Sequence, residues 1–343
     1  MSERKVPLVD APQAGHGGSG ETPPLVRAKD ETEPGRRVSA SAWVALLIVW
    51  VVWGSTYLAI RVGDETIPPL VLAAVRYVIA GVIMFPAALR NAGSAARAAG
   101  QVGPSGRYWP RRSQWLGCAV VGILLIGANA AVCVGETTVP SGLTALLIAT
   151  VPLWLLGIDA VLNRARLGLA PVTGLAIGLA GVGLLSGLGG GKGGASVSGV
   201  VIILCASAAW ATGTIMARRV STPASPALTS AMQLLIGGVF SLVLAAASGE
   251  FGAFRVSAVS DRSWLALAYL ILAGSIVAFS AYVVAVRMLP TATVATYAYV
   301  NPVIAVLLGT LILNERVSVG MLAGGVLIVG AVVLVVRRSP PAH

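Results

Sequence analysis

Apolar residues form ten continuous runs along the chain, and short polar segments separate each run from the next. Each run holds about 20 residues, the length that an α-helix needs to cross a bilayer. The pattern therefore predicts an all-α integral membrane protein with ten transmembrane helices. Their predicted positions are 42–61, 68–89, 114–135, 140–161, 169–187, 197–217, 226–248, 263–286, 291–313 and 317–336.

Two of these runs share an arrangement of prolines. Pro140 opens one run and Pro152 follows twelve residues later, and Pro290 and Pro302 repeat the spacing in the second half. A proline fits the first turn of a helix, whereas one in the interior removes a backbone hydrogen bond. We expect helix breaks at Pro152 and Pro302. Interrupted backbone at membrane depth is tolerated only against protein or a water-filled cavity, so matching breaks predict one central site.

The two halves of the chain match at further positions, which indicates an internal duplication. A constant offset of 157 residues relates Trp53, Arg61, Pro69, Arg76 and Gly81 to Trp210, Arg218, Pro226, Gln233 and Gly238. Each unit holds five spans, an odd number, so the second unit must be inverted relative to the first. Inverted repeats of this kind are typical of alternating-access transporters, which bind substrate near the midplane between the repeats.

The predicted organisation follows from this duplication. A first repeat of five helices covers 41–187, a Gly-rich linker covers 188–196, and a second repeat of five helices covers 197–337. The segment 1–40 mixes polar, Gly and Pro residues without periodicity, and we expect a disordered cytoplasmic tail there. A second cytoplasmic tail is predicted at 338–343. Small-residue spacings in the last run of each half favour packing within a monomer, with a dimer as the alternative.

Composition supports a chain embedded in lipid. Hydrophobic residues make up 56% and charged residues 11%, with a mean hydropathy of +0.86, whereas soluble domains hold about 25% charged residues. The net charge of +11 comes from arginines that flank the runs and not from one basic face. We therefore expect the lipid bilayer as a partner and no nucleic acid. Arginines concentrate in the tails and alternate loops, which places both termini of this multi-pass cell-membrane protein in the cytoplasm.

Residues able to carry out chemistry are scarce inside the runs. His16 and His343 both lie in the tails, and an intramembrane enzyme would need a nucleophile–base pair, a metal set or clustered carboxylates. We therefore expect no enzyme, no metal and no cofactor. A channel or receptor scaffold remains an alternative, although it gives no reason for two inverted halves.

Arg76 is the first candidate for substrate binding. It falls well inside the second run, where a guanidinium costs about 2.5–3.5 kcal/mol on insertion scales. It is expected to face the cavity and pair with a substrate carboxylate or a protein carbonyl, and a structural ion pair or snorkelling is the alternative. Its repeat mate, Gln233, is a neutral candidate for the same site.

Aromatic and hydroxyl side chains form the other candidates, because such groups hold amphipathic solutes by stacking, cation–π contacts and hydrogen bonds. Ordinary helix packing is the alternative for each of them. The candidates are Trp53, Ser55, Thr56, Tyr57, Trp210, Thr212, Tyr297, Tyr299 and Asn301. For coupling to an ion, the candidates are Glu136 and Asp159, near opposite ends of one run. For Asp159, an interfacial ion pair with the nearby Arg164 and Arg166 is the favoured interpretation.

Several short motifs occur in an order that resembles one known family. They are Trp53-Gly54-Ser55-Thr56-Tyr57, Pro68-Pro69, Val139-Pro140-Ser141-Gly142-Leu143, Thr150-Val151-Pro152, Asn301-Pro302-Val303 and Asn314-Glu315-Arg316. Together they resemble the EamA-type branch of the drug/metabolite transporter superfamily over about residues 42–337. The first repeat departs from the family pattern, with Ala165-Arg166 where a Glu-Arg pair is frequent. We therefore expect Glu315 to form a polar corner between helices and not to act in transport.

The resemblance implies a ten-helix exporter of the cytoplasmic membrane. Its expected substrates are amino acids, other small metabolites or drugs, moved by alternating access. An antiporter of sugar phosphates or nucleotide sugars is the alternative, because Arg61, Arg76 and Arg218 could contact phosphate.

Overall fold

All regular structure in the described part of the chain is helical. The computed structural model describes residues 40–98, 108–162, 173–174, 176–178, 180–181, 196–289, 291–294, 296–315 and 317–338. The predicted tails apart from Ala40 and Arg338, the predicted linker apart from Ser196, and most of the predicted span at 169–187 lie outside these ranges. The fold is described from the remaining spans.

Seven helices in these ranges are long and apolar enough to cross a membrane. They are α1 (Ala40–Gly63), α2 (Pro69–Ala98), α3 (Arg112–Glu136), the broken pair α4 (Ser141–Ile148) and α5 (Val151–Leu162), α6 (Val197–Arg219), α7 (Pro226–Ala247) and α9 (Asp261–Met288). The shorter helices are α8 (Glu250–Ala253), α10 (Thr291–Val294), α11 (Tyr297–Leu313) and α12 (Val319–Arg338), with a 3₁₀ turn at Val256–Ala258. The prediction of an all-α, multi-pass membrane protein is confirmed.

The exterior of this bundle is apolar. Leu116, Val161, Val197, Leu265 and Val319 are between 69% and 83% exposed. Large apolar side chains exposed at this level on many helices suit a hydrocarbon environment and not water. The bundle surface therefore agrees with the composition of the chain.

Three helices of the second half begin at serine caps. The hydroxyl of Ser196 accepts from the backbone N–H of Gly199 at 3.0 Å, and Ser225 and Ser260 cap α7 and α9 in the same way. Each cap satisfies an N–H that has no partner inside its helix. These polar caps fix where the membrane-spanning helices start.

Two glycines related by the sequence repeat let α2 and α7 touch at their backbones. A Cβ on Gly81 would lie 2.7 Å from the backbone nitrogen of Leu235, and one on Gly238 would lie 2.6 Å from the backbone nitrogen of Val78. Leu235 follows Val78 by 157 positions, the same offset that separates the two glycines. The contact is therefore reciprocal, because the glycine of each half packs against the backbone of the other half.

Helix α3 packs between α6 and α7, and glycines again allow the close approach. Gly213 of α6 leaves room for Leu125, and Gly122 of α3 faces the backbone carbonyl of Gln233, 2.7 Å from where a Cβ would lie. Close approach through small residues is a common way to pack membrane helices. It brings helices of both halves around one central space.

Candidate functional site

A cavity lies among the described helices, and about 530 Å³ inside its outline is free of protein atoms, part of it open to solvent. Its lining comes from α1, α2, α3, α4, α6 and α11, and it combines aromatic rings with a few polar groups. The lining residues are Trp53, Thr56, Tyr57, Ile60, Arg76, Ala128, Asn129, Val132, Ile148, Ala206, Trp210, Tyr297 and Asn301.

Two π-helical segments border this cavity, Val49–Trp53 in α1 and Leu270–Val277 in α9. Such segments are rare and often occur at functional sites. The indole N–H of Trp53 donates to the carbonyl of Gly274 at 3.4 Å, so one segment is tied to the other. With its amide oriented so that the NH₂ group faces the neighbouring acceptors, Asn301 donates to the carbonyl of Trp50 at 3.0 Å, which links α11 to the first segment.

Four aromatic rings meet beside the cavity. The ring of Trp53 lies 5.3 Å from that of its repeat mate Trp210, 4.9 Å from Tyr282 and 5.7 Å from Tyr297, measured between centroids. Edge-to-face and tilted pairs at these distances are favourable beyond the area they bury. We call these four side chains the aromatic cluster. Its two tryptophans come from equivalent positions of the two sequence repeats.

Arg76 is the one charged side chain among the cavity-lining residues that the structure describes. It is 2% exposed, and its Nε donates to the hydroxyl of Ser275 at 2.8 Å. Ser275 donates in turn to the carbonyl of Leu270, within the second π-helical segment. Gly274 makes room for the guanidinium, because a Cβ there would lie 2.9 Å from Nη2.

The Nη1 atom of Arg76 is buried and has no hydrogen-bond partner among the described residues. A buried donor without a partner costs about 1–3 kcal/mol, and more when it is charged. The described lining also contains no carboxylate that could balance the guanidinium. The cavity is therefore positively charged, and its chemistry favours an anionic group.

Some of the sequence candidates lie away from the cavity. The hydroxyl of Ser55 is 2.5 Å from that of Tyr269, Thr212 donates to the carbonyl of Ala208, and Gln233 is buried where α7 meets α3. The side chain of Tyr299 lies outside the described residues. Trp53, Thr56, Tyr57, Arg76, Trp210, Tyr297 and Asn301 do line the cavity.

The proline segments differ between the two halves. Ala149 and Thr150 form a turn between α4 and α5, and the turn ends two residues before Pro152. The hydroxyls of Thr150 and Ser207 donate to the carbonyl of Leu147. In the second half, the described turn lies at Thr296, ahead of α11, and Pro302 sits inside that helix. Both prolines are buried within the protein.

Tyr282 is a member of the aromatic cluster that sequence reasoning missed. Its hydroxyl lies 3.0 Å from that of Thr214. Pro140 and Pro290 are 150 residues apart, and the same offset pairs Tyr282 with Val132, so comparison of the halves gave no signal. Tyr282 and Tyr297 also line a second, small pocket, which reaches Arg218 near the end of α6.

The two coupling candidates have different surroundings. Asp159 pairs with Arg219 at 3.6 Å, and both side chains are more than a third exposed. Its expected partners, Arg164 and Arg166, lie outside the described residues. Glu136 is fully buried, and neither carboxylate oxygen has a partner among the described atoms.

Acidic residues also tie helices together where α1 and α3 end. The carboxylate of Glu315 accepts from the backbone N–H of Ser141 at 2.9 Å, from its hydroxyl at 2.9 Å, and from the N–H of Gly142 at 3.2 Å. Glu250 accepts from two N–H groups in the first turn of α2. A carboxylate at a helix N-terminus is stabilised by the unpaired N–H groups and the helix dipole. Glu315 therefore links the second half to the start of α4.

One protein-family model matches the chain twice. The model of the EamA-like transporter family matches residues 40–187 and again residues 197–337. The chain is 37% identical over 295 residues to the "Uncharacterized inner membrane transporter YedA" of Escherichia coli strain K12, covering 85% of this chain and 89% of that one. This agrees with the resemblance drawn from the sequence motifs.

More distant relatives have names that mention substrates. The "Probable terminal-alkyne amino-acid exporter" of Streptantibioticus cattleyicolor is 27% identical, covering 88% of this chain and 95% of that one. The "Probable amino-acid metabolite efflux pump" of Salmonella typhimurium is 24% identical, covering 83% and 91%. One solved crystal structure superposes with a TM-score of 0.57 at 22% identity, covering 86% of this chain and 96% of that one, which shows a shared fold.

Proposed function

Because the chain belongs to the EamA-like transporter family, we propose that it exports small amphipathic metabolites that carry a carboxylate, amino acids first among them, by alternating access. The unpartnered, buried guanidinium of Arg76 in the central cavity is the observation that carries this proposal. As a multi-pass transporter of the inner membrane, the protein moves a small molecule across the lipid bilayer.

The proposed architecture is a bundle of ten helices built from two inverted repeats. The reciprocal contact of Gly81 and Gly238 supports a pseudo-two-fold axis that passes between α2 and α7. The pairing of Trp53 with Trp210 supports an axis through the aromatic cluster. A site on that axis, near the bilayer midplane, suits the way inverted-repeat transporters expose substrate to alternate sides. Both termini would then face the cytoplasm.

Arg76 acts as the receptor for the substrate carboxylate in this proposal. Its Nε is held by Ser275, so the outer nitrogens of the guanidinium keep a fixed direction. Arginine and a carboxylate can form two parallel hydrogen bonds, which gives affinity and orientation together. The aromatic cluster would hold the apolar body of the substrate by stacking. Amino acids with aromatic or large apolar side chains fit this combination best.

The sugar-phosphate alternative would use three arginines together. Arg61 donates to the backbone carbonyl of Glu136 and does not line the central cavity, and Arg218 lines the second pocket. The described lining of the central cavity therefore offers one guanidinium, which matches one carboxylate better than a doubly charged phosphate.

Binding of three related compounds to the purified protein tests the proposal. L-phenylalanine carries both charged groups, 3-phenylpropionate lacks the ammonium, and phenethylamine lacks the carboxylate. We expect the first two to raise the melting temperature and phenethylamine to leave it unchanged. Vesicle efflux of labelled L-phenylalanine would then establish transport. Equal stabilisation by phenethylamine, or selective stabilisation by glucose 6-phosphate, would contradict the assignment.

A further inference from the structure

Two carboxylates lie one helical turn beyond the central cavity. Ile60 and Val132 line the cavity; Asp64, the C-cap residue of α1, and Glu136, the last residue of α3, follow them by four residues. Residues four apart lie on the same face of a helix. Both carboxylates therefore continue the cavity-lining faces of their helices toward one end of the bundle.

The side chain of Glu136 and the carboxylate oxygens of Asp64 are buried without partners of their own. All four carboxylate oxygens are shielded from solvent and have no hydrogen-bond partner within the part of the chain that the structure describes. An ionised carboxylate buried in this way carries a desolvation cost of several kcal/mol. Both groups also stand at helix C-termini, where the helix dipole opposes negative charge. A bound proton would relieve both costs.

Arg61 is the nearest basic side chain on the same helix as Asp64, and its guanidinium donates to the backbone carbonyl of Glu136. Within the described structure it forms no ion pair with either carboxylate. Arg76 also faces Glu136, yet within the described residues neither guanidinium donates a hydrogen bond to a carboxylate oxygen of Asp64 or Glu136.

The other charged or titratable groups that face these carboxylates come from several elements. They are Tyr57 on α1, Arg76 on α2, Cys133 on α3, Glu250 after α7, and Glu315 after α11. Glu250 and Glu315 are engaged at helix N-termini, so they are not available to accept the proton. Burial raises the pKa of the Asp64 carboxyl well above its ordinary value, with Arg61 acting in the opposite direction.

We propose that Asp64 and Glu136 form a proton-binding site that couples export to the proton gradient. The shared proton is held while the site faces the outside of the cell. When a substrate enters from the cytoplasm with its carboxylate on Arg76, its ammonium approaches the carboxylates and displaces that proton to the cytoplasmic side. A proton from outside later displaces the ammonium. The exchange step rests on the proposed function, whereas the proton site does not.

Transport in reconstituted vesicles tests the exchange. Labelled L-phenylalanine is measured in two ways: counterflow at equal pH on both sides, and accumulation driven by a pH gradient. For the wild type we expect both. Glu136→Gln should lower the ratio of gradient-driven accumulation to counterflow at least tenfold. Glu65→Gln changes an exposed carboxylate next to Asp64 and should keep the wild-type ratio.

Infrared difference spectra of the substrate-free protein test the proton site directly. A protonated carboxyl group has a C=O stretching band that an ionised one lacks. We expect this band to respond to pH in the wild type, to shift or vanish in Glu136→Gln and Asp64→Asn, and to persist in Glu65→Gln. An unchanged band in both variants, or its absence from the wild type, would overturn the inference.

Transport outcomes separate the two proposals. Accumulation driven by a sodium gradient and not by a pH gradient would refute the proton site while leaving amino-acid export intact. Absence of wild-type counterflow with every amino acid would refute the proposed function, and the infrared result would still decide the proton site.

Discussion

Replacing Arg76 by glutamine isolates the contribution of its charge. Glutamine keeps an amide donor and matches the residue at the repeat position, Gln233. Opposite unit charges 4 Å apart interact by about 4 kcal/mol at an effective dielectric constant of ~20. A neutral hydrogen bond from the glutamine amide would restore about 1 kcal/mol. The net loss of about 3 kcal/mol corresponds to roughly 150-fold weaker binding of L-phenylalanine.

The same substitution should not destabilise the protein. It removes the Nε bond to Ser275, and it also removes a charge that costs about 2.5–3.5 kcal/mol to hold in a membrane. We expect a melting temperature equal to or above that of the wild type, together with loss of transport.

Isothermal titration with L-phenylalanine and phenethylamine measures the effect of Arg76→Gln. Phenethylamine has no carboxylate, so its weak binding should change little. Arg90→Gln removes an exposed arginine from the same helix and serves as the matched control, with unchanged affinity. Equal weakening of both compounds would refute the reasoning, because it would make Arg76 a structural residue and not a carboxylate receptor.

Three further substitutions test the fold around the site. Gly81→Ala should destabilise the protein by about 1–3 kcal/mol, because its Cβ would clash with the backbone of Leu235. Thermal unfolding measures this loss. Gly157→Ala is the control and should not destabilise the protein, because no atom lies within 4 Å of its new Cβ. Glu315→Gln should lower stability by about 2 kcal/mol, because an amide NH₂ would face the N–H of the α4 first turn; an unchanged melting temperature would contradict the cap. Burial raises the pKa of Asp64, so the folded state holds this proton more tightly than the unfolded state does. The stability of the wild type should therefore fall as pH rises from the ordinary pKa of a carboxyl group toward the raised pKa. Asp64→Asn should abolish this fall. If this reasoning were wrong, the melting temperatures of the wild type and of Asp64→Asn would depend on pH in the same way.

The sequence repeat predicted the parts of the site that occur in both halves. Trp53 and Trp210 were recognised because aromatic residues recur at the same offset, and they do meet at the cavity. Arg76 was recognised because charge is expensive inside an apolar run. Apolar runs of bilayer length likewise predicted the helical, membrane-spanning fold, since length and hydropathy alone decide it.

Features that depend on tertiary contacts could not be predicted from the sequence. Tyr282 has no aromatic repeat mate, so nothing distinguished it from other apolar positions. The π-helical segments have no local signature in the sequence, and their carbonyls contact Trp53 and Asn301 from distant helices. Gln233 was a candidate for the binding site because it is the repeat counterpart of Arg76. It packs between α7 and α3 instead, since the two halves have diverged at this position and only one of them carries a charge.

The glycine crossing of α2 and α7 has a consequence for how a solute lies in the cavity. A fully symmetric pair of halves would offer a bound molecule two equivalent orientations, related by a half-turn. Arg76 lines the cavity, whereas its sequence-repeat counterpart, the uncharged Gln233, does not. One orientation therefore brings the acidic group of the solute onto the guanidinium and the other does not, so this divergent pair of residues would select a single orientation.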